Sequence, residues 1–371
     1  MKEHNWKIKN KDNRLSRVSL TKNKMQKIKT ALLSYGMSGK VFHAPFLKLH
    51  PGFEFAGSWE RSKKLIQQDY PEVKSYNSIE ELLADDSELV VVNTPVETHF
   101  EYAKKVLNAG KHALVEKAFT TTSAEAQELT NLARQKGLKL CVYQNRRWDS
   151  DFRTVKEVVH EGLLGDIVEA EFRFDRYNPN LSIKTHKETL NAGAGILKDL
   201  GPHIIDQAVN IFGYPTDVFA DLRIIRQGSV VDDGLDILLY YPNLRVRLRA
   251  GFFFREMVPS YAVHGTKGSF LKPRGDVQED ELKAGKKPEL DNWGIEPPDK
   301  EGLLHTEKNG EVFKGHIPTI PGNYYNLFDE LYYSITENKP EPVPAEEGVM
   351  VMKIIDAALE SSRTQQVIEL K

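Results

Sequence analysis

The sequence holds one cysteine in 371 residues. Lone Cys141 excludes an intramolecular disulfide and, without partner thiols, a zinc–cysteine framework. It fits a reducing compartment, so a cytoplasmic location is expected. No apolar run approaches the ~20 residues of a membrane-spanning helix, and no membrane partner is expected. An excess of one charge is lacking as well: 51 Lys+Arg face 53 Asp+Glu, a net charge of −2. The balance is uneven along the chain, however. The first 29 residues carry ten Lys/Arg against Glu3 and Asp12, without the apolar stretch of a secretory signal. Residues 1–28 therefore read as a flexible basic extension, and the acidic remainder argues against nucleic acid as a partner.

What is present is a change of rhythm. Across residues 29–147 the runs "TALLSY", "FEFAGSW", "ELVVVNT", "HALVEK" and "LKLCVYQ" read as short buried strands. Between them lie helical stretches at Ser62–Gln68, Ser78–Ala84, Glu97–Ala109 and Ser123–Lys136, with Gly110 and Gly137 as stops. Such alternation predicts an α/β Rossmann domain, a doubly wound parallel sheet with ligands at the carboxyl ends of its strands. Residues 148–371 change to α+β. A helix near Ser150–Glu161 leads to the alternating strand "IVEAEFRFDRY", a helix spans Gly201–Phe212, and further strands suggest an open, mainly antiparallel sheet. Residues 272–320 are polar with little periodicity and read as a flap, an oligomer contact or a partly ordered loop. Two helices, near Tyr324–Asn338 and Glu346–Ser362, close the chain.

Where the first strand meets the first helix stands Ser34-Tyr-Gly36-Met37-Ser38-Gly39, a G-x-G-x-x-G loop with serine at its first position. Gly36 lets backbone approach a pyrophosphate and Gly39 lets helix and strand pack closely, so a dinucleotide site is expected despite Ser34. The second strand ends in Glu60-Arg61-Ser62-Lys63. Glu60 suits a ribose 2′-OH and NAD; Arg61, Ser62 and Lys63 suit a 2′-phosphate and NADP. Three donors against one acceptor tilt the reading slightly to NADP.

The motifs "SYGMSGKVFHAP", "VVVNTPVETH", "AGKHALVEKAF", "CVYQNRRWDSDF", "GAGILKDLGPHIID" and "VHGTKGSF" together resemble the glucose–fructose oxidoreductase, inositol dehydrogenase and rhizopine-catabolism superfamily (Gfo/Idh/MocA). "FHAP" and "QNRRWD" look most like the branch with scyllo-inositol dehydrogenases. The likeness covers essentially everything after Lys29. It implies a Rossmann domain, a second domain whose sheet often joins subunits, hence a homo-oligomer, and oxidoreduction with NAD(P) of a polyol or sugar such as an inositol or aldose.

The resemblance also assigns roles. Lys117 matches the family's lysine between nicotinamide and substrate, Asp199 an orienting acid and His203 the acid/base. Hydride leaves a carbinol carbon readily only as the hydroxyl proton departs, and an imidazole titrating near neutrality suits that proton. Asn93, Thr94, Pro95 and His99 match nicotinamide-ribose contacts, and Glu116 the same region. Arg147, Arg176, Tyr177 and His43 are substrate-side candidates; Gly193 and Gly195 would leave room beside a sugar ring. Asp199, His203 and Asp206 have metal-ligand chemistry, but no metal is expected in this branch. One position departs from the pattern: Ala118 replaces the proline after the lysine. In the family that bond is often cis, whereas a non-proline residue favours trans, so a shifted lysine loop is expected. Two other functions fit the same residues: a sugar-responsive, cofactor-binding regulator without turnover, and a reductase of a non-sugar carbonyl or imine.

Overall fold

The computed structural model describes residues 25–182 and 188–371; the basic extension before Met25 lies outside them. Two sheets organise the chain. The first is six-stranded and wholly parallel: β1 (Ile28–Leu32), β2 (Phe53–Trp59), β3 (Lys74–Tyr76), β4 (Leu89–Val92), β5 (His112–Val115) and β6 (Leu140–Val142). Their order is β3-β2-β1-β4-β5-β6, so the direction of winding reverses between β1 and β4 and opens a crevice beyond their carboxyl ends. Every residue of β4 is buried, which is why this strand reads as an unbroken apolar run.

The connecting helices are α1 (Ala44–Leu49), α2 (Ile66–Asp69), α3 (Ile79–Ala84), α4 (His99–Asn108) and α5 (Ser123–Lys136). α3 starts where the Ser78 side chain accepts the Glu81 amide, and α5 where Thr122 and Glu125 cap each other reciprocally. α2 is much shorter than the expected Ser62–Gln68. The Glu60 carboxylate accepts the amides of Leu65 at 3.1 Å and Ile66 at 3.0 Å, and the intervening residues loop out to reach that cap. β3 escapes a pattern reading because three residues cannot display a period.

After α6 (Ser150–His160) comes β7 (Ile167–Asp175), then α7 (Ile196–Asp199) and α8 (Gly201–Phe212). β8 (Asp217–Arg223), β9 (Gly234–Tyr240), β10 (Arg245–Gly251), β11 (Tyr261–Gly265) and β12 (Gly268–Lys272) follow. Residues 272–320 correct the expectation of an irregular flap. They form α9 (Gln278–Lys283) and a hairpin, β13 (Gly302–Lys308) and β14 (Glu311–Ile317). Asn309 and Gly310 turn that hairpin with φ of 56° and 80°, the left-handed pair of a tight two-residue turn. Buried Lys272 is paired to Glu296 at 2.5 Å, tying the segment to the core.

The second sheet is nine-stranded, in the order β14-β13-β12-β11-β7-β10-β9-β8-β15 with β15 at Ile368–Glu369, and antiparallel except where β10 runs parallel to β7. α8 packs on β7 and β10, burying Val246 and Leu248, while Arg245, Arg247 and Arg249 point to the open face. There Arg247 and Arg249 share the single carboxylate of Asp236 on β9, while the Arg245 guanidinium donates to the Tyr241 and Leu244 carbonyls. α10 (Tyr325–Glu337) and α11 (Ala345–Thr364) complete the chain, and α11 lies against α5 and β6 on one side and α8 and β8 on the other.

Candidate active site

The fingerprint loop follows β1 directly. Ser34 replaces glycine but holds the turn itself: its hydroxyl accepts the Gly36 amide at 3.2 Å, and its carbonyl accepts Asn93 Nδ2 at 2.8 Å. Gly39 is the position without latitude, because a Cβ there would stand 2.4 Å from the Ser34 carbonyl oxygen. Exposed Met37 tips the loop. Beside it a cavity of about 360 Å³ is lined by Gly36, Trp59, Arg61, Ser62, Lys63 and Tyr102. An open glycine loop, an aromatic wall and free-standing donors at the far end fit a dinucleotide. Glu60 also borders this cavity, but its carboxylate is taken by the α2 amides, which leaves Arg61, Ser62 and Lys63 exposed at that end.

Glu116, just after β5, ties this loop to Lys117. Its Oε1 accepts the Ser38 hydroxyl at 2.5 Å and lies 2.9 Å from His43 Nε2, while Oε2 accepts the Lys117 amide at 3.2 Å. Burial opposes ionisation of Glu116, but His43, Ser38 and Lys117 outweigh it and hold the carboxyl below its usual range. The substrate-side candidate His43 does not line the cleft. Instead it is fully buried, packed on Tyr143 with ring centroids 4.3 Å apart, and works as the support of Glu116.

His99 is corrected in the same way. It is buried, with Nδ1 2.8 Å from the Ala118 carbonyl oxygen and Nε2 2.8 Å from that of Thr94. Burial holds its imidazole below the ordinary range. It bridges the Asn93-Thr94-Pro95 turn to the lysine loop and does not open on the cleft. Thr94 and Pro95 border the cofactor cavity, and Pro95 also borders the cleft beyond it.

The Lys117–Ala118 peptide is cis, and the shift expected from the alanine is not seen. Lys117 Nζ donates to the Asp199 carbonyl at 2.8 Å and lies 3.3 Å from Asp199 Oδ1. Asp199 ends α7; after Leu200, Pro202 in the first turn of α8 sets His203 on the inner side. His203 is 4% exposed, and among the described residues no partner reaches its Nδ1. Burial holds its imidazole well below the ordinary range, and the positive charges of Lys117, Arg146, Arg274 and Arg176 add to that effect. The ring is therefore neutral near pH 7, able to take a proton beside an ammonium that can stabilise an alkoxide.

In front of these residues lies a cleft of about 260 Å³, lined by Lys117, Arg176, Gly195, Asp199 and Arg226 among others. Gly193 and Gly195 do not free space for a sugar. A Cβ at Gly193 would fall 1.8 Å from Val96 Cγ1; one at Gly195, where φ is +91°, would fall 2.0 Å from Asp232 Oδ1. Both bring protein against protein.

Of the substrate-side candidates, Arg176 alone lines this cleft. Arg147 is buried away from it, with Nε 2.8 Å and Nη2 2.6 Å from the two Asp206 oxygens and an ion pair to Glu347. Half-exposed Tyr177 carries the Arg255 guanidinium 4.1 Å above its ring and lies outside the cleft. Alternation explains the split: Phe172 and Phe174 face inward, Arg176 continues their parity, and Tyr177 takes the other face. Arg226 was not anticipated. It lines the cleft while paired to Glu188 at 3.0 Å and Asp233 at 3.0 Å, and only its apolar flank "RIIRQG" hinted that it was buried.

Residues 28–144 match the oxidoreductase family NAD-binding Rossmann fold of Gfo/Idh/MocA, and residues 156–370 its C-terminal alpha/beta domain. The chain belongs to the Gfo/Idh/MocA oxidoreductase family. It is 37% identical to scyllo-inositol 2-dehydrogenase (NADP(+)) IolW of Bacillus subtilis over 94% of this chain and 97% of that one. It is 39% identical to an uncharacterized oxidoreductase of Schizosaccharomyces pombe, C115.03, covering 93% of this chain and 100% of the other. The crystal structure of an oxidoreductase from Bacillus cereus superposes with a TM-score of 0.86 at 34% identity, over 93% of this chain and 99% of that one. A Gfo/Idh/MocA member with this Rossmann domain is an NAD(P)-dependent dehydrogenase.

Proposed function

We propose that this enzyme oxidises and reduces a polyol or sugar, inositol- or aldose-like, with NADP as its preferred cofactor. The observation that carries the reading is the Lys117–Asp199 pair at the cleft, with the buried imidazole of His203 behind the cleft lining and within reach of the Lys117 charge. His203 takes the hydroxyl proton as the alcohol becomes a carbonyl and returns it in the reverse direction. Lys117, fixed by Asp199, holds the oxygen as negative charge develops there. The nicotinamide, when bound, accepts or returns the hydride. Ser34, Gly36, Met37, Ser38 and Gly39 would hold the pyrophosphate, Asn93, Thr94 and Pro95 the ribose next to the nicotinamide, and Arg61 and Ser62 the 2′-phosphate.

NADP is favoured because Glu60 is spent on the α2 amides while Arg61, Ser62 and Lys63 stand free of such caps. The name of the Bacillus subtilis relative, which carries both scyllo-inositol and NADP(+), supports substrate class and cofactor alike. A homo-oligomer through the open face of the nine-stranded sheet belongs to the same reading, supported by the pairing of Arg247 and Arg249 to Asp236, which lowers the charge of that face.

The test is reduction of NADP and of NAD, separately, against a panel of inositols and aldoses. Turnover with NADP is expected. Tight cofactor binding by fluorescence titration without turnover on any member would overturn the reading in favour of a regulator or a non-sugar reductase.

A further inference from the structure

Most charges lining the cleft have partners, but among the described residues Arg176 and Glu97 have no ion pair. Lys117 is engaged by Asp199 and Arg226 by Glu188 and Asp233. Asp232 accepts the Leu197 amide at 2.7 Å, and the Lys198 ammonium donates to the Thr121 carbonyl at 2.6 Å. Glu97 lies at the exposed rim. Arg176 is different. Among the described residues no carboxylate comes within ion-pair distance of its guanidinium, which instead lies 5.0 Å from the centroid of the Phe174 ring. Residues 183–187, which are not described, read Ile-Lys-Thr-His-Lys and contain no acid.

Arg176 is exposed on the cleft wall, and its immediate neighbours are cationic. Phe174 also carries Arg274 at 4.0 Å and Arg146 at 5.0 Å, and its ring centroid is 6.4 Å from that of His203. Three guanidiniums thus surround one ring beside the acid/base. Arg146 is compensated by Asp149 at 3.2 Å and by Glu279; Arg274 shares the same Asp149 at 4.0 Å. Among the described residues Arg176 has the cation–π contact and the more distant charges of Asp199 and Glu279 but no ion pair, and with its five-donor guanidinium fork it lines the cleft. Such a fork matches an oxyanion in bidentate fashion, and like charges behind it strengthen the demand for a negative group in front.

We propose that Arg176 binds an anionic substituent of the substrate, a carboxylate or phosphate on the sugar or polyol, and so sets the enzyme's specificity for acidic sugars over neutral ones. This rests on the dehydrogenase reading above. The same oxyanion chemistry comes from a uronate or from a sugar phosphate, and the assay separates them.

The experiment measures kcat/KM with NADP for D-glucuronate, D-glucose 6-phosphate, myo-inositol 1-phosphate, D-glucose and myo-inositol, on the wild type and on Arg176→Met and Arg176→Lys. The expected result is that at least one anionic member exceeds its neutral parent by 10-fold or more in kcat/KM ("about 10-fold" being one charge-assisted pair). Arg176→Met should raise KM for that member by roughly 10–100-fold, with Arg176→Lys recovering part of the loss and neutral sugars little affected. NADP affinity and melting temperature of the variants serve to show that fold and cofactor site persist. Equal or better turnover of the neutral parents, or an equal loss for both classes in Arg176→Met, would overturn the proposal and leave the dehydrogenase standing. Cofactor binding with no turnover of either class would overturn the dehydrogenase reading and this proposal with it.

Discussion

Lys117 Nζ donates to the carbonyl oxygen of Asp199 at 2.8 Å and lies 3.3 Å from its carboxylate, so the end of β5 and the end of α7 meet in a single ammonium. The two residues come from different sheets' connections and are far apart in sequence. Their meeting joins the two domains at the cleft. Behind Lys117 stands Glu116, itself held by Ser38 and His43, so the lysine's position is set from the fingerprint loop as well.

Removing either charge partner of the reacting oxygen should therefore act on chemistry more than on binding. Lys117→Ala and His203→Ala are each expected to lower kcat by ~10²-fold or more, while cofactor affinity stays within about a few-fold. Steady-state kinetics beside a fluorescence titration of NADPH checks both halves. Wild-type rates in His203→Ala would remove the imidazole from the acid/base role.

The pH profile follows from the burial of His203. Its ordinary pKa is 6.5, and burial with the positive charges of Lys117, Arg146, Arg274 and Arg176 lowers it well below that. Alcohol oxidation needs the neutral base, and a lowered pKa keeps the base neutral to lower pH. The acid limb of kcat/KM for oxidation should thus fall below pH 6.5, with activity maintained through neutrality. A limb centred at or above the ordinary histidine value would mean that another group, or an exposed imidazole, controls the reaction.

The strand–helix alternation and the loop around Gly39 were legible because each is carried by a local signal, buried runs and a glycine spacing, whereas Lys117, Asp199 and His203 were singled out by the family resemblance. What was not legible depends on partners distant in sequence. His43 and His99 read as cleft residues until Glu116, Thr94 and Ala118 are seen to occupy their nitrogens. Gly193 and Gly195 read as space for substrate, yet Val96 and Asp232 already fill it. The β13–β14 hairpin is a different kind of miss. Its Asn309-Gly310 turn was in plain view, and both strands alternate in burial, but Gly302, Thr306 and Gly315 occupy inward positions, so the alternation is not written in apolar residues.

Cofactor choice turns on four residues after β2. With Glu60 accepting two amides of α2, its carboxylate is less available to a ribose hydroxyl, and Arg61 is the cation nearest to that position in sequence. Arg61→Ala should raise KM for NADP by about 10-fold or more and leave KM for NAD within about two-fold. Parallel titrations of the two cofactors decide it. Unchanged NADP affinity would take Arg61 out of the 2′-phosphate site.

Arg147 offers a contrast with Arg176, since both were candidates for substrate and only one lines the cleft. Arg147 and Asp206 face each other as a buried bidentate pair, with Glu347 on the same guanidinium. Burial pushes the Asp206 carboxyl up, and Arg147 opposes that push. Arg147→Met therefore strands a carboxylate in the interior, and such a loss typically costs about 3–5 kcal/mol. Adding Asp206→Asn removes the stranded charge and should restore part of that stability, a coupling that denaturant unfolding of the two singles and the double measures directly. The folded fraction of Arg147→Met should keep its substrate KM. A variant that unfolded normally but bound substrate poorly would return Arg147 to the cleft, against the geometry of its two bonds to Asp206.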